Sequence, residues 1–223
     1  MRSSADGKLR SSALNVLGGI FLSAVLSFGA TAPVFRSEPV APKLLEKIRH
    51  TTWHPGCPVP PDDLRQLTLT FHDFRKNDQM GTLVVHKDLA DEVVRHFENL
   101  YRHGFQIERM APVEEYGGSD NASMAANNTS AFNCRDVTGK RGVYSNHSWG
   151  RAIDINPLTN PYVKGDQVLP PAGRKYLDRT KAFPGSILKD GFVVQEFEKA
   201  GWTWGGRWSD RQDYQHFEKP SKK

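Results

Sequence analysis

One short run limits what this chain can fold into. Ala152-Ile153-Asp154-Ile155 sets a carboxylate among apolar residues, and such a run reads as a buried strand. Burying a carboxylate without a partner is costly, so the fold must bring a partner to Asp154. His147 lies seven residues earlier, and Gly150 between them lets the chain turn. His216 sits in a second strand-like run, Gln215-His216-Phe217-Glu218. Two imidazoles and one carboxylate, with a fourth position left to water, make the donor set of a catalytic zinc centre. Asp213 stands three residues before His216. Zinc lowers the pKa of a bound water to roughly 7, so a carboxylate placed there is base enough to take its proton. Taken singly, each of these residues is more often structural than catalytic, and a His-x6-Asp spacing alone is a weak signal.

The rest of the chain mixes strands and helices without regular alternation, which argues for an α+β fold. Residues 66–71 alternate polar and apolar, as a half-buried strand does, and residues 81–86 form a more apolar partner. Leu89, Val93, Val94, Phe97, Leu100 and Tyr101 recur at helical spacing over 87–103, with Gly104 as the stop. Further expectations are a strand over 105–110, a short helix from 120 with Asp120 as its N-cap, and a helix over 193–200. Trp202, Trp204 and Trp208 read as core residues, with stacking on sugar rings as the alternative. His54, His72, His86, His96 and His103 lack ligand-like surroundings and are expected at the surface.

The N-terminal stretch is of another kind. Arg2, Lys8 and Arg10 precede a run over 11–35 with no charged side chain. This reads as a signal peptide or N-terminal membrane anchor over 1–35, and implies export. Ala30-Thr31-Ala32 has the pattern of a cleavage site, although Pro33 follows it. Residues 36–54 then read as a linker, and 55–220 as one domain. The formal net charge of +5 is mild, and no Lys/Arg stripe of the nucleic-acid-binding kind is present. A monomer is expected. Cys57 and Cys134 form an even pair, which in an oxidising compartment reads as a disulfide, with two buried free thiols as the alternative. Neither cysteine shows a second Cys or a His at ligand spacing, which argues against a thiolate zinc site. Asn121, Asn127, Asn128 and Asn146 open glycosylation sequons.

Ser145-x-His147-x-x-Gly150-x-Ala152-x-Asp154 resembles, position for position, the SxHxxGxAxD signature of a zinc peptidase family. These are the D-alanyl-D-alanine carboxypeptidases and L-alanyl-D-glutamate endopeptidases, the VanY-like members of the LAS metallopeptidases. Asp213-x-x-His216-Phe217-Glu218 is similar to their second motif. The resemblance implies a small central antiparallel sheet flanked by helices, as in the hedgehog and D,D-peptidase fold. It implies Zn2+ held by His147, Asp154 and His216, with Asp213 as general base and Arg135 stabilising the developing oxyanion. Ser123 and Asp120 would line the same cleft, and Ser145 would orient a ligand or a turn. The implied substrate is a peptidoglycan stem peptide, outside the cytoplasm. Members that cut D-Ala-D-Ala usually carry Glu at the base position and those that cut L-Ala-D-Glu usually carry Asp, so Asp213 points to the endopeptidase type. A zinc-containing cell-wall binding module of the same fold, without catalysis, is the alternative.

Overall fold

The computed structural model describes residues 32–219. The expected signal or anchor segment falls almost wholly outside the described residues. No described helix is long and apolar enough to cross a membrane.

The described chain opens with β1 (Phe35–Pro39) and α1 (Pro42–Thr51). The long hairpin β2 (Leu64–His72) and β3 (Asp78–His86) follows, then α2 (Ala90–Arg102). Short pieces come next: β4 (Arg109–Met110), α3 (Asp120–Ala125), β5 (Asn128–Thr129), β6 (Asp136–Val137), β7 (Lys140–Tyr144) and β8 (Ala152–Asp154). The last third holds β9 (Tyr162–Lys164), β10 (Gln167–Leu169), α4 (Phe192–Glu198), β11 (Thr203–Trp204), β12 (Gln212–Asp213) and β13 (His216–Glu218).

The α+β expectation holds, but the single central sheet is split. Three antiparallel sheets have the orders β1-β2-β3, β10-β9-β12 and β11-β13-β8. The expected linker is structured, since β1 pairs along β2 and Ile48 of α1 is buried. The β2–β3 turn is written in its residues: the Asp73 carboxylate accepts the backbone N–H groups of Arg75 and Asn77, at 2.8 and 2.9 Å. Strand β2 is buried on both faces, not one. Leu67, Leu69 and Phe71 face the main core with α2, while Leu64 packs with Ile48, Val84 and Phe132 in a second cluster. A helix on each side removes the solvent face that the alternation implied.

Val93, Phe97 and Leu100 of α2 meet Val194 and Phe197 of α4 in the main core. Burying each such side chain contributes about 1.5–3 kcal/mol. His96 is also buried, against expectation: its Nδ1 lies 2.9 Å from Glu196 of α4, a partner one hundred residues away. The strand expected over 105–110 shrinks to β4, because Gln106 and Glu108 hydrogen-bond Asp73 and Asn156 instead of a ladder. Ser119, not Asp120, caps α3, its hydroxyl accepting the Ala122 N–H at 3.2 Å. The cysteines form the Cys57–Cys134 disulfide, with a sequence separation of 77. His54, three residues before Cys57, brings its Nε2 to 3.6 Å from Cys134 Sγ. A histidine does therefore reach the cysteines, but the bridge consumes both sulfurs.

Candidate active site

Strand register builds the site. In the β13–β8 pair, His216 stands directly opposite Asp154 and Phe217 opposite Ile153. Alternation then sends Phe217 and Ile153 into the core, where both are fully buried, and turns His216 and Asp154 to the other face. His147 arrives from a short helical turn over Asn146–Trp149, which Ser145 caps and Gly150 ends at φ +63°. A side chain at 150 would strike the His86 backbone nitrogen at 2.6 Å, so this turn requires glycine.

His147 Nε2 lies 3.2 Å from Asp154 Oδ2, His216 Nδ1 lies 2.9 Å from Asp154 Oδ1, and the two nitrogens are 3.2 Å apart. All three residues are buried. The outer ring nitrogens are committed elsewhere. His147 Nδ1 donates to the Ala131 carbonyl at 2.6 Å, and His216 Nε2 to the Glu218 carboxylate at 3.0 Å. A carbonyl and a carboxylate only accept, so each ring turns its other nitrogen toward Asp154. Two inward nitrogens and a carboxylate gathered within 4.8 Å create a strong demand for positive charge.

Two groups register that demand. Burial disfavours charge on His216, yet the hydrogen bonds it donates to Asp154 and Glu218 outweigh that and hold the imidazole up to about 10. Burial also disfavours charge on Asp154, yet the His147 and His216 imidazoles hold its carboxyl well below the usual carboxylate range. The donor set therefore fits a divalent cation, and zinc in particular by ligand type.

Asp213, His147 and His216 line one cleft. Asp213 is half-buried, and its Oδ1 has no hydrogen-bond partner among the described residues. Burial pushes its carboxyl up to about 6; the Asp154 charge adds to this and the His216 imidazole opposes it. Asp213 sits against Gly205, where a Cβ would meet Asp213 Cβ at 2.8 Å.

Arg135 also lines the cleft, and its Nη2 pairs with Asp120 at 3.2 Å. Ser148 ties it to the His147 turn, accepting the Arg135 N–H at 2.8 Å and donating to the Arg135 carbonyl at 2.7 Å. Ser145 reaches the cleft while accepting the His147 N–H at 3.3 Å. Ser123 does not reach it: its side chain is buried and accepts from Asn128 Nδ2 at 3.0 Å. Asp120 does not line it either, and touches it only through Arg135. Trp202 and Trp204 are core residues as expected, whereas Trp208 is half-buried in the cleft wall, its ring 5.3 Å from that of His216. Asn127 and Asn128 are buried with bonded amides, so their sequons are closed in the folded chain.

Glu218 closes the second motif, and the resemblance gives it no role. It accepts from His216 Nε2 and from Asn146 Nδ2, the latter at 2.8 Å. Its position two residues from His216 in a strand was the available signal, since such residues share a face. The Ala131 carbonyl had no signal, because its contact depends on the tertiary fold alone.

A family model described as D-alanyl-D-alanine carboxypeptidase matches residues 138–219. That stretch contains His147, Asp154, Asp213 and His216, and it supports the peptidase family that the motifs resemble. No curated protein and no solved structure matches the chain.

Proposed function

From a chain whose residues 138–219 belong to the D-alanyl-D-alanine carboxypeptidase family, we propose a zinc metallopeptidase that hydrolyses peptide bonds in peptidoglycan stem peptides outside the cytoplasm. The observation that carries the reading is the gathering of His147, Asp154 and His216, with both imidazoles lining the same cleft as Asp213. Zn2+ bound by the first three would polarise a peptide carbonyl and acidify water. Asp213 takes the proton of the attacking water and returns it to the leaving amine; a carboxyl pushed up to about 6 exchanges protons readily near neutral pH. Arg135 offers fixed positive charge to the carbonyl oxygen as that oxygen becomes negative. Glu218 and Ala131 hold the two imidazoles in the orientation that binding requires. An intact base favours catalysis over the zinc-containing binding module, which has no use for Asp213. Asp at this position favours the L-Ala–D-Glu bond over the D-Ala–D-Ala bond.

The test is mass spectrometry of muropeptides incubated with the zinc-loaded protein, with and without chelator. Chelator-sensitive cleavage after L-Ala supports the endopeptidase, and chelator-sensitive release of terminal D-Ala supports the carboxypeptidase. Intact muropeptides with one zinc per chain would transfer the reading to the binding module.

A further inference from the structure

The cleft carries positive charge that the reaction above does not use. Its cationic walls are Arg135, Lys140 and Arg211, and its acidic ones are Asp213 and Glu218. Glu218 is occupied by His216 and Asn146, and Asp213 is the proton carrier. Arg135 is already assigned to the carbonyl oxygen, and it pairs with Asp120. Lys140 is exposed on the β6–β7 hairpin, where a flexible ammonium is screened by solvent.

Arg211 is held differently. Its guanidinium lies over the Trp208 ring, 4.5 Å from the centroid, and Nη1 pairs with the exposed Asp210. The stacking and the ion pair fix the plane of the group. Its Nε and Nη2 make no hydrogen bond to the described residues. The same Trp208 ring also neighbours His216, tilted against it at 5.3 Å between centroids. Arg211 also precedes Asp213 by two residues, and both residues line the same cleft. Since Asp213 hands its proton to the leaving amine, Arg211 flanks the residue that bears that amine.

Stem peptides place a carboxylate there for either bond. A leaving D-Ala carries the terminal carboxylate, and a leaving D-Glu joined through its side chain keeps its α-carboxylate. Resting on the peptidase reading above, we infer that Arg211 anchors a free carboxylate on the residue following the scissile bond. The site therefore selects stem peptides carrying that carboxylate over the same peptides with a carboxamide. Trp208 acts as a positioning residue for the guanidinium.

The experiment uses the full chain with zinc restored and two synthetic stem peptides that differ only in carboxylate or carboxamide at that residue. The readouts are kcat and KM, together with calorimetric Kd on an Asp213→Asn protein that binds without turnover. The wild type should prefer the carboxylate by roughly tenfold or more, mainly in KM, as expected of a charge-assisted contact. Arg211→Gln should bring the two peptides within about twofold, and Arg211→Lys should keep part of the preference because a point charge replaces the planar fork. Equal kcat/KM and equal Kd in the wild type, or an undiminished preference in Arg211→Gln, would overturn the assignment. If neither peptide is cut but the Kd preference follows Arg211, the anchor stands and the peptidase reading fails. Cleavage without preference does the reverse.

Discussion

Glu218 offers a graded test of how the proposed metal-ligand set is held. One of its oxygens, Oε2, accepts both His216 Nε2 at 3.0 Å and Asn146 Nδ2 at 2.8 Å. Glu218→Gln can place its amide oxygen at that point and keep both hydrogen bonds, losing only the charge. Glu218→Ala loses both bonds and leaves a buried imidazole N–H unpaired, so the ring is free to turn its inward nitrogen away from Asp154. Removing the outer partner of a ligating histidine typically weakens metal binding 10- to 100-fold, or about 1.4–2.8 kcal/mol. Glu218→Ala should lie in that range, and Glu218→Gln should lie near the wild type, within about tenfold. The assay is competition for zinc against a chromogenic chelator at fixed pH, with circular dichroism as the folding control. A well-folded Glu218→Ala protein that holds zinc as tightly as the wild type would refute the argument that this carboxylate sets the ring.

Three other outcomes follow from separate parts of the molecule. Gly205→Ala should lower kcat by roughly 100-fold, because the new methyl meets the Asp213 Cβ and carbonyl oxygen at 2.8 Å and a base moved by about 1 Å loses that much; steady-state kinetics at wild-type values would contradict it. Replacing Cys57 and Cys134 by Ser should destabilise the fold by about 4.5 kcal/mol, the chain-entropy value for a closed loop of 77 residues, as read from chemical denaturation midpoints; an unchanged midpoint would show that the loop is constrained by other contacts. Burial pushes the Glu114 carboxyl above its ordinary value of 4.5, with the Thr52 hydroxyl opposing. A raised folded-state pKa means stability present at acid pH and lost as pH rises through that value. Glu114→Gln should therefore flatten the fall of Tm between acid and neutral pH and raise Tm at neutral pH, and parallel Tm–pH curves for the two proteins would contradict the assignment.

The grouping of the candidate site was legible in the sequence because its parts are local. Ser145 to Asp154 is one continuous turn and strand, with Gly150 needed at positive φ, and Asp213 and His216 share one short segment. The partners that orient them were not, since Ala131, Asn146 and Glu218 reach the rings through strand register and the docking of separate loops. Arg135 kept its place at the cleft because Ser148 stitches it to the His147 turn. Ser123 and Asp120 stand off the cleft lining because α3 turns one inward and gives the other to Arg135. Periodicity found the hairpin and α2, which are long, but overextended the strand over 105–110, where side chains from Asn156 and Gln106 replace the ladder. It missed the burial of His96, whose stability rests on Glu196 in a distant helix.

The most direct measurement is a muropeptide digest by Asp213→Asn beside the wild type, with zinc content determined on both samples. Asparagine preserves the shape of the cleft wall and removes the proposed proton carrier. One zinc per chain in both proteins, with product from the wild type alone, is the predicted result. Product from Asp213→Asn at the wild-type rate would contradict the account.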